Sequence, residues 1–249
     1  MLKKNLVKSL SGLCVISGFS LIFCCNKNHI EPRFHYAGYS TQCVFSDAFE
    51  EGSKHWVVEG QGRVEAAENQ RMALVSDSSD LGLVLWTARE FKGDFQIEYT
   101  VDFAETSGVH LIFLCASGAN GEDIIEDLPP RHGELSEYAN GQIQNYYIAC
   151  HAYSAEGTHV DRSTIRKNPG KLLLSQVPGD PCPDARRYLI DIIKIGGRIL
   201  FYVDGLLIQD VMDKGGFGPV YDHGRLGLWF QGNAVTYLDG VAVYRLKPQ

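Results

Sequence analysis

The sequence predicts an all-β sandwich of two antiparallel sheets, and three observations carry that prediction. From residue 40 onward the chain is a series of short β-branched and aromatic runs divided by Gly, Asp, Asn and Pro, the punctuation of a many-stranded sandwich. Long helical periodicity is absent. Gly196-Gly197 and Asp204-Gly205 fall between apolar runs, where a tight hairpin needs positive φ.

In chain order, strands are expected at 44–49 and 56–59, which hold Phe45, Phe49 and Trp56, then at 72–76 and 83–88, rich in Leu and Val around Trp86. The runs 95–103 and 109–116 are the densest in Phe, Ile, Val and Leu, and 142–153 adds a tyrosine pair. The last third, with strands at 188–195, 199–203, 207–211, 226–230 and 235–246, forms an antiparallel meander through the two Gly-containing turns. In 199–203, Ile199, Phe201 and Val203 point one way and Leu200 and Tyr202 the other. Both sets are apolar or aromatic, so this strand is expected to be covered on both sides or to line a cleft.

Lys3, Lys4 and Lys8 precede an uncharged run from 9 to 23. That order is the order of an export signal, and the run is short for a membrane anchor. Ile22-Phe23-Cys24-Cys25 follows as a loose lipoprotein cleavage box, with Cys25 the expected lipidated residue and an ordinary signal peptide the alternative. The expected division is a signal at 1–24, a polar tether at 25–40 and one domain at 41–249. The mature chain is then exported, held at the membrane only by its lipid, in the periplasm or at the cell surface. Loss of the three lysines takes the formal charge from −7 to about −10, which argues against nucleic acid as partner. Cys43, Cys115, Cys150 and Cys182 are too scattered for a metal site. Cys115 and Cys150 are expected as small core residues, and Cys43 and Cys182 are free to pair in an oxidising compartment.

Residues 120–170 gather most of the chemistry. In the expected strand 142–153, one face carries Asn145, Tyr147, His151 and Tyr153 at intervals of about 6 to 7 Å. Amide, phenol and imidazole in one row suit a sugar, which offers an apolar ring face and a fringe of hydroxyls. Trp229 and Gln231 share a strand face and supply a second platform and amide. Glu122, Asp123, Arg131, Arg166 and Asn168 complete the expected binding set. The two-carboxylate strand motif of sandwich glucanases is absent, although glycoside hydrolysis normally uses two carboxyl groups. β-Elimination of a uronate fits these residues better, with Arg166, Lys167 and Asn168 steadying the carboxylate and Tyr147 or His151 as base. No nucleophile elbow, phosphate loop or zinc helix occurs, and no cofactor is expected beyond a structural calcium at a carboxylate such as Asp123 or Asp180.

Asn120-Gly121-Glu122-Asp123-Ile124, Leu128-Pro129-Pro130-Arg131, Arg166-Lys167-Asn168-Pro169-Gly170, Tyr202-Val203-Asp204-Gly205 and Gly218-Pro219-Val220 together resemble the YesU-like proteins, a family known as a domain of unknown function. The resemblance covers 45–246. It implies a concanavalin-like jelly roll with a ligand groove on its concave side and an association with breakdown of pectin-type polysaccharides. Shared fold does not carry shared chemistry. Two functions are therefore expected side by side: an enzyme acting on polysaccharide or oligosaccharide, lyase or hydrolase, with Tyr147 and His151 as acid/base groups, or a non-catalytic glycan-binding surface lipoprotein.

Overall fold

The computed structural model describes residues 31–154 and 156–249. The expected export signal and the lipidation at Cys25 lie outside the described residues. The strands are β1 (Tyr39–Asp47), β2 (Trp56–Gly60), β3 (Arg63–Ala67), β4 (Arg71–Val75), β5 (Leu83–Thr87), β6 (Phe91–Lys92), β7 (Phe95–Phe103), β8 (Val109–Gly118), β9 (Ile143–Ala152), β10 (Arg162–Asn168), β11 (Leu172–Pro178), β12 (Arg187–Ile195), β13 (Arg198–Val203), β14 (Leu206–Met212), β15 (His223–Gln231) and β16 (Val235–Pro248). Among the described residues one short α-helix, α1 (Leu135–Ala139), and a single 3-10 turn at Glu68–Gln70 interrupt them. The first sheet runs β14-β13-β12-β7-β16-β4-β3, with β1 also on β16; the second runs β11-β10-β9-β8-β15-β5-β2, with β6 also on β15. Every pairing within them is antiparallel.

Alternation along β7 turns Phe95, Ile97, Tyr99, Val101 and Phe103 inward, and β12 adds Tyr188, Ile190 and Ile192. They meet Ile112, Leu114, Tyr146, Ile148, Leu228 and Phe230 of the second sheet in one core. Each such fully buried side chain contributes about 1.5–3 kcal/mol by leaving water, so the sandwich rests on this layer.

Each sheet is also covered on its outer face. On the first, residues 31–38, expected as the end of a tether, are instead a strap. Arg33 hydrogen-bonds Asp191 at 2.9 Å and the carbonyls of Ile190 and Tyr99, and its own N–H donates to Glu98 at 2.7 Å. Phe34 and Tyr36 pack beside Ile193, Leu200 and Tyr202. The two-sided cover expected for the strand at 199–203 is thus present, with the N-terminal segment supplying the outer layer.

On the second sheet, residues 119–142 fold back over Val84, Trp86, Leu111, Phe113, Tyr147 and Trp229, burying them with Ile124, Tyr138 and Ala139. This insertion is closed by side chains that bond within it. The N-cap Glu134 and Glu137 each accept the other's backbone N–H at the start of α1, a reciprocal cap.

Candidate functional site

Strand β9 starts as the alternation expects. Asn145 and Tyr147 project onto the outer face of the second sheet, beside Asn168 and Arg166 of β10. The insertion then seals them. Asn145 donates to the Tyr138 carbonyl at 2.8 Å and accepts from Asn168 at 2.8 Å, and neither amide retains exposed surface. Tyr147 lies edge-on to Phe113, 5% exposed. Burial pushes its phenol up, against a smaller opposite pull from Arg166, which is the wrong direction for a base.

At His151 the row breaks. Leu111 pairs with Ala149 and His110 with Cys150, but Val109 pairs with Ala152, so His151 is an extra residue in a bulge, at φ 49°. Its ring turns into the sandwich and stacks on Phe103 at 3.7 Å, with Nδ1 2.8 Å from the Cys182 carbonyl and Nε2 3.1 Å from that of Glu105. Burial pushes its pKa down. The expectation of Tyr147 and His151 as one acid/base pair fails for this reason, since strict period-two counting does not survive an inserted residue.

Most of the expected clamps are internal fasteners as well. Arg131 grips Glu59 through Nε at 2.9 Å and Nη2 at 2.7 Å, and Trp86 Nε1 donates to the same carboxylate at 2.8 Å. Asp123 is held bidentately by Arg225 at 2.8 and 2.7 Å. Burial pushes that carboxyl up, but Arg225 and the Ile125 and Glu126 N–H groups outweigh it and leave it below the usual carboxylate range. Glu122 accepts from the backbone and side chain of Asn120, and Arg166 donates to the Lys171 carbonyl at 2.6 Å. Trp229 is fully buried beneath Gly82, where a Cβ would stand 2.1 Å from the indole. At the two carboxylates named for calcium, Asp180 accepts three backbone N–H groups and Asp123 faces a guanidinium. Among the described residues no three His, Cys, Asp or Glu side chains gather for a metal.

Two expected residues, Tyr153 and Gln231, do share an open site. A cleft of about 470 Å³ lies where the outer face of the second sheet meets one end of the sandwich, with Asp80, Glu105, Ser107, Val109, Tyr153 and Gln231 among its lining. Four connections build it, those between β4 and β5, β7 and β8, β9 and β10, and β15 and β16. Two backbone bonds and one side-chain bond lock them: Tyr153 N–H to the Gly108 carbonyl at 2.8 Å, Gly232 N–H to that of Ser78 at 3.2 Å, and the Gln231 side-chain Nε2 to that of Ser79 at 2.9 Å. Gly108, at φ +80°, lies so close to β15 that a Cβ would meet the Gln231 carbonyl at 2.1 Å. The Ser107 hydroxyl has no hydrogen-bond partner in the protein. Among the described residues no lysine or arginine lines the cleft.

Asp80, Glu105 and Ser107 were not singled out by sequence reasoning. Ser-Ser-Asp-Leu-Gly and Glu-Thr-Ser-Gly mark them as turn residues. That the two turns meet is a property of the topology. The arrangement combines hydroxyl, amide and carboxylate groups with one phenol ring, a set suited to a polyhydroxylated ligand without negative charge.

Comparison with known proteins places this architecture. Residues 42–237 match the model of a family described as a domain of unknown function. A Bacillus subtilis protein of unknown function with a galectin-like fold is 23% identical, with a TM-score of 0.75 over 83% of this chain and 97% of that one. An endo-β-1,3-glucanase from Pyrococcus furiosus is 14% identical (TM-score 0.54, 87% of this chain, 98% of that one). The kappa-carrageenase of Pseudoalteromonas carrageenovora is 12% identical (TM-score 0.56, 88% of this chain, 100% of that one). No curated protein matches. These likenesses identify the fold as the concanavalin-like jelly roll.

Proposed function

The chain belongs to the DUF1961 family, and from that premise we propose that it is an exported glycan-binding protein that holds a neutral oligosaccharide in the cleft between Asp80, Glu105, Tyr153 and Gln231. The observation that carries the reading is the lining: acceptors, amide and phenol around a space large enough for sugar rings, without a cation. Two carboxylates with no compensating lysine or arginine repel a uronate or sulfated sugar. The uronate elimination expected from Tyr147 and His151 loses its support, because both are buried. The glucanase and carrageenase likenesses are consistent with a carbohydrate partner and lend no chemistry.

Titration of the full-length protein with neutral, uronate-containing and sulfated oligosaccharides tests this. Neutral sugars are expected to bind, and Gln231→Ala to weaken them about tenfold, through loss of a ligand hydrogen bond to the amide and of its bond to the Ser79 carbonyl. Binding confined to the acidic glycans, or unaffected by Gln231→Ala and Tyr153→Ala, would remove the cleft from the argument. A second reading, hydrolysis, is favoured by one feature: Asp80 and Glu105 stand on different connections of the same cleft, as two carboxyls acting across a glycosidic bond require. It predicts new reducing ends that disappear in both Asp80→Asn and Glu105→Gln.

A further inference from the structure

Cys43, Cys115, Cys150 and Cys182 are free thiols, and Cys150 and Cys182 have no exposed surface. Those two are neighbours. Asp180 Oδ1 accepts the N–H groups of His151 and Cys182, each at 2.9 Å, and Oδ2 accepts that of Ala152 at 2.8 Å. The Cys182 carbonyl lies 2.8 Å from His151 Nδ1. These bonds hold the end of β9 beside the segment that leads into β12, and both cysteines are buried in the common core.

We propose that Cys150 and Cys182 form a disulfide when the chain folds in an oxidising compartment, joining a strand of the second sheet to the entrance of the first. The cysteines flank the place where one carboxylate already ties the end of β9 to the segment that leads into β12. It also stands one residue from His151, whose Nε2 faces the Glu105 and Ser107 carbonyls in the wall of the glycan cleft. The contact with Cys182 and burial both push the Cys150 thiol up, so the closed pair is a poor source of thiolate. Exchange belongs to the folding chain, before the core closes.

The oxidant is a small or protein disulfide such as oxidised glutathione. One cysteine thiolate attacks it, forming a mixed disulfide and releasing one glutathione thiolate. The second cysteine thiolate then attacks the protein sulfur of that mixed disulfide and releases the other. Two protein thiols lose two electrons, the glutathione disulfide gains them, and the two thiol protons pass to the released thiolates.

Trypsin places each of the four cysteines on its own peptide, 34–54, 93–131, 132–162 and 172–186. The full chain is refolded in a glutathione redox buffer, unfolded in guanidinium chloride at low pH to stop exchange, alkylated without reduction and digested. The expected product joins 132–162 to 172–186, lighter by two hydrogens than the separate peptides, while Cys43 and Cys115 carry the alkyl label. Reduction of the refolded protein is expected to lower its Tm by about 10 °C, the effect of opening a loop of this size in a domain of this length. Alkyl label on both Cys150 and Cys182 without reduction, or either one joined to a different cysteine, overturns the proposal.

Discussion

Glu59→Ala is expected to lower the unfolding free energy by about 3–5 kcal/mol, the usual consequence of removing one partner from a buried ion pair. Glu59 is 8% exposed and accepts from both Arg131 and Trp86. Without it the Arg131 guanidinium keeps only the carbonyls of Ile124 and Pro129, and the Trp86 indole N–H keeps nothing. Because Arg131 lies in the insertion and Glu59 on β2, the loss falls first on the cover over the second sheet. Urea unfolding measures the change, and hydrogen exchange is expected to rise most across 123–139. Replacing both partners, Glu59→Leu with Arg131→Met, is expected to cost less than the single change, since no charge is then left unpaired. A single-variant loss below about 1 kcal/mol would mean that the pair is solvated.

Lys167→Ala is expected to have an effect of similar size, about 3–5 kcal/mol. Lys167 is fully buried, and its ammonium donates to Asp213 at 2.7 Å and to the carbonyls of Gly218 and Pro219 at 2.9 and 2.7 Å. Tyr146 donates to the same Asp213 oxygen at 2.7 Å and accepts the Tyr221 N–H. One lysine therefore pins the connection from 213 to 222 against the end of the second sheet. Burial pushes the Asp213 carboxyl up, but Lys167, Tyr146 and the Gly215 N–H outweigh it and hold it below its ordinary value. A carboxyl whose folded pKa is depressed stabilises fully above its unfolded value, about 3.9, and loses that contribution as pH falls through the folded value. Tm measured from pH 7 to pH 3 is thus expected to fall in the wild type below about pH 4, and to fall less steeply in Asp213→Asn, which has no such proton to take up. Parallel curves would show that other carboxylates govern the acid transition.

Strand identity was largely legible because its signal is local. The run 95–103 became β7 and 235–246 lies inside β16. The strands β3, β6, β10 and β11 are absent from the expected set; β6 is only two residues long, and β10 carries Arg162, Ser163, Thr164, Arg166, Lys167 and Asn168, polar residues that look like a loop until a neighbouring sheet and an insertion cover them. Of the expected site, Tyr153 and Gln231 line the open cleft, while Arg131, Asn145, Tyr147, Asn168 and Trp229 hold the insertion and the sheet together. Residue type alone does not separate these roles, since a guanidinium that fastens a loop and one that grips a ligand use the same hydrogen bonds.

By itself the sequence determined an all-β sandwich, its meander and its turn positions, because β propensity, alternation and positive-φ turns act between residues close along the chain. Only the tertiary structure decided which polar side chains remain open. A single inserted residue at His151 reversed a face, and the fold-back of 119–142 buried the most polar row. The cleft arose instead where four distant connections converge. Burial and convergence are set by contacts between residues far apart in sequence, and no local pattern encodes them.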